Sequence, residues 1–211
     1  MDTVLLFAGG DSPNASLVDE LPEADLVVAA DSGYDVAVSH GLAVDVLVGD
    51  FDSIVTEVIP TDVVVHRHDP DKDATDLELA LEVVSAESPE RVVVVGGGGG
   101  RVDHELATAA LLCSLRWETI EEIDWVTDRG WSHVVRGRRL LHGDVGATLS
   151  LVPMGGDARG VSTRGLRWEL SGATLRHGTT LGVSNVFAAP VAEVTVERGC
   201  LLAVIPVSSL R

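Results

Sequence analysis

Short apolar runs alternate with amphipathic stretches through the first 127 residues of this 211-residue chain. Each run is almost continuously apolar, which is typical of strands in a parallel sheet that helices cover on both faces. Between the runs, residues 76–86 and 103–117 place apolar side chains at helical spacing. This alternation predicts an α/β domain with a doubly wound parallel sheet. The predicted strands are residues 4–7, 26–30, 46–48, 63–66, 91–95 and 125–127.

The pattern changes after residue 129. Glycine, proline, serine and aspartate then separate short apolar runs at intervals of roughly ten residues, which is typical of an all-β sandwich or barrel. The predicted strands in this part are residues 148–152, 165–170, 192–196 and 201–205. We therefore predict two domains, an α/β domain at residues 1–129 and a smaller all-β domain at residues 130–211.

The formal net charge is −18 at pH 7, and Lys72 is the only lysine among 15 basic residues. Such acidity argues against a nucleic-acid-binding protein, which needs a basic face. We interpret it as a solvated surface suited to a salty cytoplasm, in preference to a device that repels anionic partners. No run reaches the roughly 18 apolar residues of a membrane span, and no basic segment precedes the first apolar run. The two cysteines form no CxxC pair, so neither a disulfide framework nor a zinc site is expected.

Aspartates gather at the ends of the predicted strands, where ligands bind in open α/β sheets. Asp50 and Asp52 follow residues 46–48, and an extended backbone would direct both carboxylates to the same side. Two adjacent carboxylates repel each other, and a divalent cation relieves that repulsion. A simple turn is the alternative, because Gly-Asp and Asp-Ser are ordinary turn sequences.

Two further segments carry groups that suit phosphate. Thr75 and Asp76 stand where they can cap the helix at residues 76–86, and Lys72 supplies a mobile positive charge just before it. Five consecutive glycines at residues 96–100 precede Arg101 and Asp103. Backbone N–H groups of such a run can point at phosphate, and a guanidinium can clamp it. A flexible connector is the alternative interpretation of the glycine run.

The second half of the chain has fewer polar residues that are candidates for a functional site. Trp168 alternates with Leu166 and Leu170 on a predicted strand, so its default position is the core. Ser184 and Asn185 are by default a turn or a helix cap. Three other tryptophans are expected in the core or at a domain interface, namely Trp117, Trp125 and Trp131.

Six short segments, taken in order, resemble the thiamine pyrophosphokinase family, and the resemblance covers most of the chain. In the first half they are Ala30-Asp31-Ser32-Gly33, Gly49-Asp50-Phe51-Asp52-Ser53, Lys72-Asp73-Ala74-Thr75-Asp76 and Gly99-Gly100-Arg101-Val102-Asp103-His104. In the second half they are Gly165-Leu166-Arg167-Trp168-Glu169-Leu170 and Gly182-Val183-Ser184-Asn185. Each segment alone is weakly or moderately specific, whereas six in order on an α/β half and a β half are highly specific.

The resemblance implies an ATP-binding α/β domain followed by a thiamine-binding β-sandwich, in a homodimer with active sites at the subunit interface. It implies a Mg²⁺-dependent transfer of diphosphate from ATP to the hydroxyl group of thiamine, which gives thiamine diphosphate and AMP. The implied metal ligands are Asp50, Asp52, Asp76 and Asp103, which form the catalytic set together with Asp73. The implied ATP-binding residues are Asp31, Lys72, Thr75, Gly99, Gly100 and Arg101. The implied thiamine-binding residues are Trp168, Ser184 and Asn185, with the indole of Trp168 stacked on the cationic ligand.

Two alternatives stay open at this point. One is a diphosphotransferase for another alcohol, such as a hydroxymethylpterin, on which Trp168 can also stack. The other is a non-catalytic binder of thiamine or nucleotide, although a binder need not retain all of these carboxylates. Ser32 and Thr108 depart from the family pattern, so the contacts to adenine and ribose stay open as well. The residues do not identify the carboxylate that accepts the hydroxyl proton.

Overall fold

The computed structural model describes residues 1–56 and 58–209. Contacts within the chain divide it into two compact units. The first unit comprises Met1–Thr108 and Arg116–Asp128, and the second comprises Ala109–Leu115 and Arg129–Arg211. The division into domains at residue 129 stays a prediction. None of the described helices is long and apolar enough to cross a membrane.

The first unit contains a parallel sheet, and the α/β class predicted from the sequence is confirmed. In the described residues its strand order is β4-β3-β2-β1-β5-β6, and every neighbouring pair is parallel. The strands are β1 (Thr3–Ala8), β2 (Leu26–Ala30), β3 (Val46–Gly49), β4 (Val64–Arg67), β5 (Arg91–Val95) and β6 (Glu122–Thr127). The strand order reverses between β1 and β5, and in such sheets ligands bind beyond the carboxyl ends of the strands.

Apolar burial explains why these runs are strands. Residues 92–95 of β5 are completely buried, as are Val4, Leu6 and Phe7 of β1. Side chains on both faces of these strands therefore leave water, which is the main favourable contribution to folding. The edge strand β4 differs, because all four of its residues are exposed.

Four helices accompany the sheet in the described residues, namely α1 (Ala15–Val18), α2 (Gly33–Ser39), α3 (Asp76–Ala86) and α4 (Val102–Leu112). Helix α3 begins as predicted, because the Thr75 hydroxyl accepts a hydrogen bond from the backbone N–H of Glu78 at 3.2 Å. Helix α4 is shorter than the predicted residues 103–117. It ends at Leu112, and Leu115–Trp117 form a separate 3₁₀ turn. Helix α2 was not predicted, since seven residues give too little periodicity to detect.

The second unit contains antiparallel strands in the order β7-β13-β9-β12-β8, with β10 and β11 also paired to β9. The strands are β7 (Gly130–Val135), β8 (Arg138–His142), β9 (Thr148–Arg164), β10 (Ala173–Leu175), β11 (Asn185–Val186), β12 (Val191–Thr195) and β13 (Arg198–Pro206). Residues 150–154 of the long strand β9 pair with β13, whereas residues 162–164 pair with β12. Leu151 of the first part and Val161, directly before the second part, belong to one hydrophobic core.

The predicted strand at residues 165–170 is wrong. Strand β9 ends at Arg164, and Gly165 has a φ of +78°. A Cβ atom at this position would lie 2.4 Å from the carbonyl oxygen of Val191, so the turn requires glycine. Only an isolated bridge between Leu166 and Phe187 remains in this described segment.

The four tryptophans differ in exposure. Trp168 is 55% exposed, so its default assignment to the core is also wrong. The expected burial of the other three tryptophans is confirmed, since Trp117, Trp125 and Trp131 are 3%, 5% and 8% exposed. Trp168 is therefore the tryptophan whose ring is open to a ligand.

Candidate functional site

Three carboxylates meet at the carboxyl ends of strands β2 and β3. Among the described residues, Asp31, Asp50 and Asp52 form a group whose ligand oxygens all lie within 4.8 Å of one another. Asp31 directly follows β2 and Asp50 directly follows β3, and these two strands are parallel neighbours. The backbone N–H of Asp31 donates to the carbonyl of Val48 at 2.8 Å, which extends the pairing to the residue that carries the carboxylate. We call this group the aspartate cluster.

Asp31 is partly buried, and its environment suits a cation. Its Oδ1 atom is buried and has no hydrogen-bond partner among residues 1–56 and 58–209. Burial raises the pKa of Asp31 and the negative charges of Asp76 and Asp50 raise it further, whereas a hydrogen bond from the Ser32 backbone lowers it. A buried carboxylate oxygen without a partner is costly, and a bound divalent cation would remove that cost.

The backbone that presents Asp50 and Asp52 is a turn and not an extended segment. Phe51 has a φ of +70°, and the backbone N–H of Asp52 donates to Asp50 Oδ1 at 3.2 Å. The extended geometry predicted from the sequence is therefore wrong, and the turn alternative describes the backbone correctly. The turn still brings both carboxylates to Asp31, and the Ser53 hydroxyl donates to Asp52 Oδ1 at 2.8 Å.

Lys72 joins the aspartate cluster to the start of helix α3. Its Nζ atom lies 2.7 Å from Asp50 Oδ2 and 3.0 Å from Asp76 Oδ1. The contact with Asp76 is an ion pair without a hydrogen bond, because the two groups are not oriented for one. The hydrogen bond from Lys72 is the main cause that lowers the pKa of Asp50. Burial alone would lower the pKa of Lys72, but the two carboxylates outweigh it and raise that pKa.

Asp76 lies against the end of β3 as well. A Cβ atom at Gly49 would lie 3.0 Å from Asp76 Oδ1 and 3.3 Å from Asp31 Cβ, so glycine leaves room for both carboxylates. Asp73 is exposed, and Thr75 caps helix α3. The predicted metal role of Asp76 stays a prediction, and its observed partner is Lys72.

Arg101 and Asp103 pair with each other at the start of helix α4. Arg101 Nε lies 3.2 Å from Asp103 Oδ1, and Arg101 Nη2 lies 2.5 Å from Asp103 Oδ2. The guanidinium lowers the pKa of Asp103 to about 2. Both side chains are about two-thirds exposed, at 69% and 65%, so the pair is accessible to an anionic ligand. The metal role of Asp103 stays a prediction.

The glycine run before Arg101 packs against the loop that follows β1. The N–H of Gly97 donates to Gly9 O at 2.7 Å, and the N–H of Asp11 donates to Gly98 O at 2.9 Å. Gly99 and Gly100 complete the run, with φ values of +76° and +63°. The sequence interpretation missed the loop at residues 9–11. The signal that could have found it is the pair Gly9-Gly10, which directly follows the apolar run of β1.

A separate group lies in the second unit and contains the predicted thiamine-binding residues. The Asn185 side chain accepts from the backbone N–H of Trp168 at 3.1 Å and donates to the carbonyl of Trp168 at 2.8 Å. The guanidinium of Arg167 lies 4.8 Å from the centroid of the Trp168 ring. Ser184 has a φ of +63°, and its backbone N–H donates to Ser150 Oγ at 3.0 Å. The geometry thus presents an exposed indole that already stacks on a cation.

Comparison with known families matches both halves of the chain. The model described as "Thiamin pyrophosphokinase, catalytic domain" matches residues 17–123, and "Thiamin pyrophosphokinase, vitamin B1 binding domain" matches residues 133–201. The chain belongs to the thiamin pyrophosphokinase family. The catalytic-domain match includes the aspartate cluster and Lys72, and the vitamin B1 match includes Trp168, Ser184 and Asn185.

Individual relatives agree with the family assignment. Thiamine pyrophosphokinase 1 of Oryza sativa subsp. japonica is 29% identical over 170 residues, which cover 72% of this chain and 62% of the rice protein. Thiamine pyrophosphokinase of Bacillus subtilis is 24% identical over 200 residues, which cover 88% of this chain and 89% of the bacterial protein. The chain thus spans less than two thirds of the rice relative.

Solved structures of the thiamin pyrophosphokinase family share the fold. The crystal structure of the Bacillus subtilis enzyme has a TM-score of 0.84 at 24% identity and covers 97% of this chain and 99% of its own. Thiamin pyrophosphokinase from Candida albicans has a TM-score of 0.76 at 13% identity, covering 97% of this chain and 88% of its own.

Proposed function

We propose that this chain is a thiamine pyrophosphokinase, which transfers diphosphate from ATP to the hydroxyl group of thiamine and releases AMP. The observation that carries the proposal is the match of both family models, in order, on one chain. The geometry supports it, since the catalytic match holds clustered carboxylates beside a lysine and the vitamin B1 match holds an exposed indole. Neither a pterin-specific transferase nor a non-catalytic binder is favoured by any observed feature.

Asp31, Asp50 and Asp52 are the residues that would hold the divalent cation, which we propose to be Mg²⁺. Three carboxylates with ligand oxygens within 4.8 Å of one another, together with a buried Asp31 Oδ1 that has no hydrogen-bond partner in the described residues, fit a hard cation that prefers oxygen ligands. The ion would neutralise charge on the phosphate groups of ATP. Asp76 and Asp103 keep a proposed role as further ligands or phosphate-organising groups, and Asp73 joins them.

Lys72 and Arg101 are proposed to bind the triphosphate of ATP, together with Thr75, Gly99 and Gly100. Each cation already pairs with a carboxylate, so ATP would compete with Asp50 for Lys72 and with Asp103 for Arg101. Lys72 contacts two carboxylates and is only 16% exposed, so these contacts restrict its orientation before ATP binds. The acceptor hydroxyl would then attack the β-phosphorus directly, and catalysis would rest on positioning and charge neutralisation.

Trp168 is proposed to stack on thiamine, with Ser184 and Asn185 on the pyrimidine side. Arg167 shows that the ring can hold a cation on its face, at 4.8 Å from the centroid. We further propose that the second domain is a β-sandwich and that the enzyme is a cytoplasmic homodimer with active sites at the subunit interface.

The test is a product assay with purified protein, Mg²⁺ and ATP labelled at the α-phosphorus. With thiamine as the acceptor, we expect the label in AMP and equal formation of thiamine diphosphate, separated by chromatography. A parallel reaction contains a hydroxymethylpterin in place of thiamine and should give no labelled AMP above background. Label in ADP with thiamine monophosphate, or turnover with the pterin alone, would contradict the proposal. The Asp50→Asn variant is the control for contaminating activity.

A further inference from the structure

The loop that carries Asp50 and Asp52 is tied at its far end to helix α2. The carboxylate of Asp35, in the first turn of that helix, accepts from the backbone N–H of Val55 at 2.8 Å and of Thr56 at 3.0 Å. The hydroxyl of Thr56 also donates to Asp35 Oδ1. Val55 is 83% exposed, so side-chain burial does not hold this end of the loop. The hydrogen bonds to Asp35 therefore fix its position.

The other end of the loop is held independently. Arg67 Nη1 donates to the carbonyl of Asp50 at 3.2 Å, and Lys72 binds the Asp50 carboxylate. Asp52 lies between the two anchors and is exposed, and its carboxylate accepts a hydrogen bond from the Ser53 hydroxyl within the same loop. The direction of the Asp52 carboxylate therefore depends on the backbone that the two anchors fix.

Asp35 also connects this loop to the third member of the aspartate cluster. Asp31 lies four residues before Asp35, and its carbonyl accepts from the backbone N–H of Tyr34 at 3.0 Å. One short segment thus carries one carboxylate of the cluster and holds the loop that carries the other two. Any displacement of residues 50–56 from this segment changes the spacing of the cluster.

The charge of Asp35 makes it an effective anchor. Burial alone would raise the pKa of Asp35, but the hydrogen bonds from Thr56 and Val55 outweigh it and lower the pKa. The carboxylate is therefore ionised at neutral pH, and hydrogen bonds to an ionised acceptor are shorter and stronger than neutral ones.

We infer that Asp35 is a positioning residue of the phosphoryl-transfer site, which holds residues 50–56 so that Asp50 and Asp52 face Asp31. The expected effect on turnover rests on the proposed function. The expected effect on metal binding rests on the observed contacts alone. Outer partners of metal ligands typically contribute about 10–100-fold to metal affinity or activity. We expect an effect of that size on the affinity of the aspartate cluster for a divalent ion.

The test compares Asp35→Ala with Asp25→Ala in the full-length, nucleotide-free protein. Asp25 is a matched control, because it also accepts two backbone N–H groups, from Asp2 at 2.7 Å and Thr3 at 3.1 Å. Those residues lie at the amino end of β1, away from the carboxyl ends of the strands. Mn²⁺ affinity is measured by calorimetry, amide exchange of residues 50–56 by mass spectrometry, and stability by the melting temperature.

Asp35→Ala should weaken Mn²⁺ binding by about 10–100-fold and accelerate amide exchange in residues 50–56. Asp25→Ala should leave both unchanged, even if its melting temperature falls by the same amount. Wild-type Mn²⁺ affinity and wild-type exchange in Asp35→Ala would overturn the inference. If Asp35→Ala does not fold, Thr56→Val removes one donor alone, and it should show a smaller change of the same sign or overturn the inference by showing none.

Thiamine diphosphate synthesis by the wild-type protein separates this inference from the proposed function. If the wild-type protein makes thiamine diphosphate and the Asp35→Ala variant binds Mn²⁺ normally, the positioning role is wrong and the proposed function stands. A wild-type protein that binds Mn²⁺ through an Asp35-dependent loop but makes no thiamine diphosphate defeats the proposed function alone, and it supports the positioning role.

Discussion

Asn185 holds the backbone of Trp168 through both ends of its side-chain amide. The amide oxygen accepts from Trp168 N at 3.1 Å, and the amide nitrogen donates to Trp168 O at 2.8 Å. Asn185 is 8% exposed, whereas Trp168 is 55% exposed. Asn185 therefore fixes the position of an indole that is itself open to solvent. The amide oxygen also accepts from Val186 N at 2.9 Å, so a direct contact of this amide with thiamine would use the second N–H of its nitrogen.

Trp168→Ala should weaken thiamine binding by roughly thirtyfold and leave ATP binding unchanged, because a desolvated cation–π stack contributes about 2 kcal/mol. The exposure of the ring predicts little loss of stability. Trp131→Ala is the contrasting variant, since Trp131 is 8% exposed and its removal should cost about 3–5 kcal/mol of unfolding free energy. Calorimetry with each ligand and chemical denaturation measure these effects. Unchanged thiamine affinity in folded Trp168→Ala would refute the stacking role.

Asn185→Ala should also weaken thiamine binding, and its effect should depend on Trp168. The variant removes both hydrogen bonds to the Trp168 backbone, each of which contributes about 0.5–1.5 kcal/mol net. If Asn185 acts by holding Trp168, adding Asn185→Ala to Trp168→Ala should change thiamine affinity little further. Additive losses in the double variant would instead show an independent contact between Asn185 and thiamine.

Asp50→Asn and Asp52→Asn should each lower turnover by more than about 100-fold, because even the outer partners of metal ligands contribute about 10–100-fold. Both residues lie on a loop outside the core, so the melting temperature should change little. Asp62→Asn removes the same charge at an exposed position outside the aspartate cluster and is the control. Near wild-type turnover at saturating Mg²⁺ in both variants would remove these residues from the metal site.

The strands and helices of the α/β half could be predicted well from the sequence, because the burial of apolar side chains determines where they form. Strand β5 was predicted with its exact bounds, since an unbroken run of valines suits a strand buried on both faces. Helix α3 was predicted for a similar reason, because its start has a capping threonine and its apolar residues repeat at helical spacing. A turn at Asp50 and Asp52 was the alternative interpretation, but the positive φ of Phe51 could not be predicted, since it opposes the local preference of a bulky residue.

The membership of the aspartate cluster depends on tertiary structure. The spacing of Asp50 and Asp52 left a metal site and a simple turn open, and the family resemblance implied that both are metal ligands, but it assigned Asp31 to ATP. Its inclusion follows from the adjacency of β2 and β3, and strand order is not encoded in any single segment. The contact between Asn185 and Trp168 spans 17 residues, so no local pattern indicates it.

Withdrawing salt should destabilise the protein. The net charge is −18, and self-repulsion among exposed carboxylates acts over the Debye length. That length grows from about 3 Å at 1 M salt to about 30 Å at 0.01 M, so more pairs repel at low ionic strength. The melting temperature should therefore fall steadily as KCl is diluted, and NaCl at equal ionic strength should behave alike. A melting temperature that stays constant or rises on dilution would contradict a salt-adapted surface.

Lys72→Met should change metal and nucleotide affinity in opposite directions. In the free protein Lys72 competes with any cation for Asp50, because its ammonium lies 2.7 Å from Asp50 Oδ2. Its removal should tighten Mn²⁺ binding without nucleotide by roughly fivefold, which corresponds to about 1 kcal/mol for a partly exposed ion pair. ATP binding should weaken by roughly 10–100-fold, because a hydrogen bond to a charged group contributes about 1.5–3 kcal/mol.

The control for this prediction is Lys72→Arg, which retains the positive charge and should keep Mn²⁺ affinity close to that of the wild type. Both affinities are measured by calorimetry on the same preparations, with the melting temperature as a check on folding. If Lys72 only stabilises the loop, Lys72→Met should weaken Mn²⁺ and ATP together, because the aspartate cluster would lose its spacing. Parallel losses of both affinities would therefore reject Lys72 as a phosphate ligand. Opposite changes would show that ATP binding needs the charge of Lys72 and that binding of a free metal ion does not.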